Sequence, residues 1–190
     1  MEKGILMFEN KIEQEIIGLY TDNLVNLFSI NEISKKLNKK YPYINKKVTQ
    51  LIKKGILKKI VVGRSYLCSL NLENEKTILL LALYQINKRN RDSDNVRKYI
   101  IKNNLELTIH SVIDFQGSLI FIVNSLRDRK ALMNTFPEAQ IVHKGEFVEM
   151  LLETPELFSK HSVLYGYERF FELIVAFKDE LVSKYSPLRY

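Results

Sequence analysis

The stretch ISKKLNKKYPYINKKVTQLIKKGILKKIVVGRSYLCSLNL, Ile33 to Leu72, decides how this chain is read. Its forty residues hold ten lysines, at 35, 36, 39, 40, 46, 47, 53, 54, 58 and 59, together with Arg64, and neither an Asp nor a Glu. Lysine runs are usually solvated faces, but acids are normally interspersed on such faces, and their absence here points to an anionic partner. Ile44, Val48, Leu51 and Ile52 stand at i, i+4, i+7 and i+8, the apolar stripe of a helix expected over Tyr43–Lys54. At about 100° per residue the opposite face carries Lys46, Thr49, Gln50 and Lys53, with Lys47 and Lys54 on its flank. Gly55 ends the helix as the residue that adopts a left-handed cap most cheaply. The β-rich runs Ile56–Val62 and Tyr66–Leu72 are expected strands around a Gly63-Arg64-Ser65 turn, with Arg64 at its tip.

Upstream, Ile12, Ile16, Ile17 and Leu19 fall near helical spacing and predict a first helix over residues 9–20. Asn23 to Phe28 fits either an extended segment or the end of that helix. Ser29 or Asn31 can cap a second helix, which carries Ile33 and Leu37 on one face. Asn38 to Pro42 breaks it, because the residue before a proline is pushed out of the helical region.

Helix, turn, helix and basic hairpin in this order, with V-x-x-L-I-x-x-G-I-L at Val48 to Leu57, resemble the winged helix-turn-helix regulators of bacteria and archaea. The resemblance covers residues 9–72 and implies a recognition helix in the major groove of double-stranded DNA, with a wing on phosphate or in the minor groove. It implies that Lys46, Thr49, Gln50 and Lys53 face bases or their flanking phosphates, with Lys47 beside them. It implies that Lys35, Lys36, Lys39, Lys58, Lys59 and Arg64 hold the backbone. The Gln50 amide, with a donor and an acceptor, has the chemistry to pair with adenine.

The chain's net charge of +7 lies wholly in residues 1–72, which have 13 bases and 6 acids; residues 73–190 have 16 of each. With 46% apolar and 27% charged residues the composition is that of a globular protein. One cysteine, Cys68, excludes an internal disulfide and suits a packed core thiol. The N-terminal MEKGILMFEN has no signal-peptide pattern, and the apolar run Ile78–Tyr84 is far shorter than the roughly 20 residues that span a bilayer. A cytoplasmic protein without membrane contact is expected.

Residues 73–91, with TILLLALYQI apolar nearly all round, read as a connecting helix that joins the halves or packs on its own copy. The polar run Asn87–Asp94 marks a domain boundary. Beyond it helices are expected at 95–104, 127–135, 146–153, 155–160 and 167–185, and strands at 107–115, 119–124 and 139–143, an α/β domain over 92–190. Ser111–Ser118 (SVIDFQGS) and the later Val163-Leu164-Tyr165-Gly166 are similar to small nucleotidyltransferases. Those use an acidic pair for metal ions, but LIFIVNS follows Ser118 with no carboxylate before Asp128. Two-metal phosphoryl transfer needs such carboxylates, so the resemblance implies a domain that has lost catalysis. His110, His143 and His161 lie outside helical ligand spacing, and Asp114 stands alone beside Gly117-Ser118.

The expectation is an α+β chain: a winged helix-turn-helix domain at 1–72, a connecting helix at 73–91 and a small α/β domain at 92–190 for dimerisation or sensing. It is a DNA-binding transcription regulator, a homodimer with no cofactor, no metal and no catalytic residues. The alternatives are a nucleotidyltransferase-like enzyme or remnant with a nucleic-acid-binding arm, and a protein-docking module.

Overall fold

The computed structural model describes residues 11–63, 65–88, 91–127 and 129–185. It is a mixed α+β chain with one two-stranded and one four-stranded sheet. The chain divides into two compact units, residues 1–84 with 181–190, and residues 85–180.

The first unit opens with α1 (Lys11–Gly18), α2 (Ile30–Lys36) and α3 (Tyr41–Lys53). The hairpin β1 (Leu57–Val62) and β2 (Ser65–Leu70) follows, and then α4 (Glu75–Asn87), which carries the chain into the second unit. The expected apolar stripes fill one core: Ile12, Ile16 and Ile17 of α1, Ile33 of α2, Ile44, Val48 and Leu51 of α3, and Leu57, Cys68 and Leu70 of the hairpin are all buried. Burying each large aliphatic side chain contributes about 1.5–3 kcal/mol before entropy.

Ser29 is the cap of α2: its Oγ accepts from the Glu32 amide, while Glu32 Oε2 accepts from the Ser29 amide and hydroxyl at 2.7 and 2.8 Å. Those bonds, the backbone one first, hold the Glu32 carboxyl below its usual range. Residues 23–28 are not helix. They turn and then form an antiparallel bridge, Phe28 with Cys68, on the flank of the hairpin. Tyr20 locks that bridge by donating from its hydroxyl to the Cys68 carbonyl at 3.0 Å. Helix α3 begins two residues earlier than expected. Pro42 lies in its first turn, where the missing N–H costs nothing, so the proline starts this helix and Asn38 (φ 50°) ends the one before. The hairpin turn is one residue shorter than expected, since Val62 already pairs with Ser65.

A corner joins α3 to β1. Gly55 takes φ 71°, and its carbonyl accepts from both Asn71 Nδ2 at 2.8 Å and Asn74 Nδ2 at 2.9 Å. Gly18 leaves room for Tyr84 of α4; a Cβ at residue 18 would lie 2.3 Å from that ring.

In the second unit α5 (Arg91–Lys102) precedes a sheet of order β5-β4-β3-β6. Its strands are β3 (Ile109–Phe115), β4 (Ser118–Val123), β5 (Gln140–His143) and β6 (His161–Tyr165). β3 pairs antiparallel with β4 and β6, and β4 pairs parallel with β5. Between β4 and β5 lies α6 (Arg129–Thr135), and between β5 and β6 lie α7 (Lys144–Glu153) and α8 (Pro155–Ser159). Val112, Phe121, Val123, Ile141 and Leu164 join Val96 and Ile100 of α5 and Leu132 of α6 in one buried cluster. The alternate strand residues Ile113, Ile120, Ile122, Val142 and Val163 are buried as well, so both faces of the sheet are covered.

Three features differ from expectation here. Strand β6 was not predicted. The long final helix is two, α9 (Tyr167–Ala176) and α10 (Lys178–Tyr185), interrupted at Phe177. Arg91 to Asp94, expected in a boundary, form the first turn of α5.

Candidate nucleic-acid interface

The acid-free stretch meets its carboxylates from outside. Glu13 of α1 is almost wholly buried and places Oε2 3.0 Å from Lys54 Nζ and Oε1 3.7 Å from Lys47 Nζ. Glu73 sets Oε2 2.8 Å from Lys58 Nζ. Lys47 and Lys54, seven residues apart, share the flank of α3 that meets α1, which is why one carboxylate reaches both. The Lys47 side chain is only 15% exposed. Gln50 stands between the two lysines in sequence, three residues after Lys47 and four before Lys54. It is half-buried, and its Oε1 is covered and has no hydrogen-bond partner among the described residues. The sequence placed Gln50 on the outward face and Lys47 on its flank; in the structure Glu13 of α1 takes Lys47, the Gln50 Oε1 is covered, and Glu73 takes Lys58.

The rest of the expected set stays outside. Lys35, Lys36, Lys39, Lys46, Thr49, Lys53 and Lys59 are exposed. Lys36 Nζ stands 5.4 Å from the centre of the Phe28 ring and Lys59 Nζ 4.1 Å from that of Tyr66, each contact worth about 0.5–1 kcal/mol at an exposed site. Both side chains are thereby oriented without losing their charge. Arg64 falls outside the described residues.

Sequence reasoning overlooked three residues between these lysines. Lys40 is the exposed N-cap residue of α3, and Tyr41 and Tyr43 in its first turn are 48% and 42% exposed. The signal was present in KKYPYINKK, where two aromatics stand among four lysines and an asparagine without fitting the buried stripe. Burial, followed by the Cys68 thiol and Tyr41, holds the Tyr66 phenol above its ordinary value. Cys68 itself is a core thiol, pushed up to about 11 by burial against the smaller opposing pull of Lys59.

The second unit gathers no comparable constellation among its described residues. Asp114 Oδ1 accepts the Gly117 amide at 2.8 Å and so shapes the β3–β4 turn. His110 Nδ1 meets Ser111 Oγ at 3.1 Å, His143 caps α7, and His161 Nδ1 meets the Leu157 carbonyl at 3.0 Å, so the three histidines serve separate places. Val163 to Tyr165 lie in the edge strand β6, and Gly166, at φ 69°, is the N-cap of α9. Among the described residues no three His, Cys, Asp or Glu side chains come together as metal ligands. No helix of the described residues is long and apolar enough to cross a membrane.

No protein-family model matches the chain, and no curated protein matches it. A search of solved structures finds the crystal structure of MepR, a transcription regulator of the Staphylococcus aureus multidrug efflux pump MepA. The likeness has a TM-score of 0.35 and 12% identity, and covers 50% of this chain and 77% of that one. None of these comparisons supports the nucleotidyltransferase resemblance of residues 92–190.

Proposed function

We propose that residues 1–72 are a winged helix-turn-helix domain that binds double-stranded DNA, and that the protein is a transcription regulator acting as a homodimer. In this reading α3 is the recognition helix and the β1–β2 hairpin the wing. The observation that carries it is the fate of the lysines. Carboxylates from outside the acid-free stretch take Lys47, Lys54 and Lys58. Lys35, Lys36, Lys39, Lys40, Lys46, Lys53 and Lys59 keep exposed ammonium groups with no ion pair among the described residues. They line α2, the α2–α3 turn, the outer face of α3 and the hairpin. The positive end of the α3 dipole, at Lys40 and Tyr41, adds to that field. A surface of this kind concentrates a polyanion, and Lys46, Thr49 and Lys53 are the α3 residues that would enter the groove, with Lys35, Lys36, Lys39, Lys59 and Arg64 on phosphate.

The test is the salt dependence of binding to DNA fragments, followed by fluorescence anisotropy. If each protomer neutralises about four phosphates, a dimer gives a log–log slope of roughly −7. A slope near −1 would reduce the lysines to ordinary solvated surface. Lys36→Ala should weaken binding to all sequences nearly alike.

A further inference from the structure

Between residues 11 and 84 the exposed large apolar side chains are Tyr41, Tyr43, Val61 and Val62, and all four fall inside the acid-free stretch. A single exposed tyrosine needs no explanation. The coincidence of these four with the lysines that form no ion pair among the described residues does, since a purely electrostatic surface has no use for apolar area. We propose that Tyr41 and Tyr43 read DNA through apolar contact with the C5-methyl groups of thymine in the major groove, giving the protein a preference for thymine-containing sites. This inference rests on the DNA-binding reading above.

Tyr41 and Tyr43, two residues apart, stand about 200° from each other around α3, and both project beyond its first turn because side chains of a helix lean toward the N-terminus. In helix-turn-helix proteins the residues at that end reach the base edges. Lys39, Lys40 and Lys46, close to the two tyrosines in sequence, attract phosphate whatever the base sequence and so carry no information about it. The amide of Gln50, the other candidate reader, has its Oε1 covered. Among the groups that bases display in the major groove, the thymine methyl is the apolar one, and a phenol ring is an apolar plate with only two side-chain torsions to fix.

The experiment uses the full chain and two duplexes of the same mixed, A·T-rich sequence, one with every thymine replaced by uracil, which removes the methyl and nothing else. The wild-type protein is expected to bind the thymine duplex about tenfold more tightly, the effect of burying roughly one methyl per tyrosine. The Tyr41→Ala/Tyr43→Ala variant is expected to bind both duplexes alike, at the level of the uracil duplex. The Tyr41→Phe/Tyr43→Phe variant, which keeps both rings, should retain the preference and covers the case in which the alanine variant fails to fold. Lys46→Ala should lose equally on both duplexes. Equal wild-type binding to the two duplexes, or a preference that survives removal of both rings, overturns the inference and leaves DNA binding standing. No binding to either duplex overturns the DNA reading and this inference with it.

Discussion

The amide of Gln50 keeps its Oε1 covered, without a hydrogen-bond partner among the described residues. A covered acceptor without a partner loses its hydration and gains nothing in return, typically a cost of about 1–3 kcal/mol. Gln50→Leu should therefore keep or raise the melting temperature and leave DNA affinity within about twofold; a large loss of affinity at unchanged stability would return Gln50 to the reading face. His110 makes a second prediction at this scale. Burial, then the charges of Lys144 and Arg169, lower its folded-state pKa from 6.5 to about 4. The unfolded chain thus binds the extra proton first as pH falls. The stabilisation is complete above about pH 6.5 and is lost as pH drops toward 4. Urea titrations across that window should show the loss, and His110→Gln should flatten it.

Helix α3 owes its position to charge as well as to its apolar stripe. Removing one partner from a buried ion pair leaves the other charge uncompensated, at a cost of about 3–5 kcal/mol for a fully buried pair. Lys54 is 45% exposed, so Glu13→Gln should cost less, about 2 kcal/mol, read as a lower urea midpoint at unchanged m-value. An unchanged midpoint would make the pair ornamental. Elements of this kind were legible where one period ruled them: the i, i+4, i+7 stripe of α3 and the β-branched runs of the hairpin are found as read. The ends were less legible, because Pro42 ends a helix and starts one with equal ease. Strand β6 was hidden because HSVLY is short and its pairing partner, β3, lies some fifty residues earlier. The site was half legible. Charge picks out the stretch, but Glu13 and Glu73, which decide which lysines remain available, stand outside it and reach it only through folding.

At the scale of the whole molecule, dimerisation follows from the DNA reading. One such domain covers few base pairs, and a two-fold pair sets two recognition helices about 34 Å apart on one face of the duplex. Helix α4 offers a surface for it, with Ile86 40% exposed and Leu79 and Leu83 half-buried. Light scattering at tens of micromolar should report twice the 22.3 kDa chain mass, and Ile86→Asp should shift it to the monomer. A wild-type monomer at that concentration would argue for one-site binding and a salt slope near half the dimer value.

The Gly55 carbonyl is the last point to follow. Its two lone pairs are both taken, one by Asn71 and one by Asn74, the residues that lead into α4. Mechanically this is a bolted joint. The heel of α3 and the root of α4 share one fixing, the Gly55 carbonyl. A shift at the root of α4 therefore acts first on Gly55, the residue that ends α3.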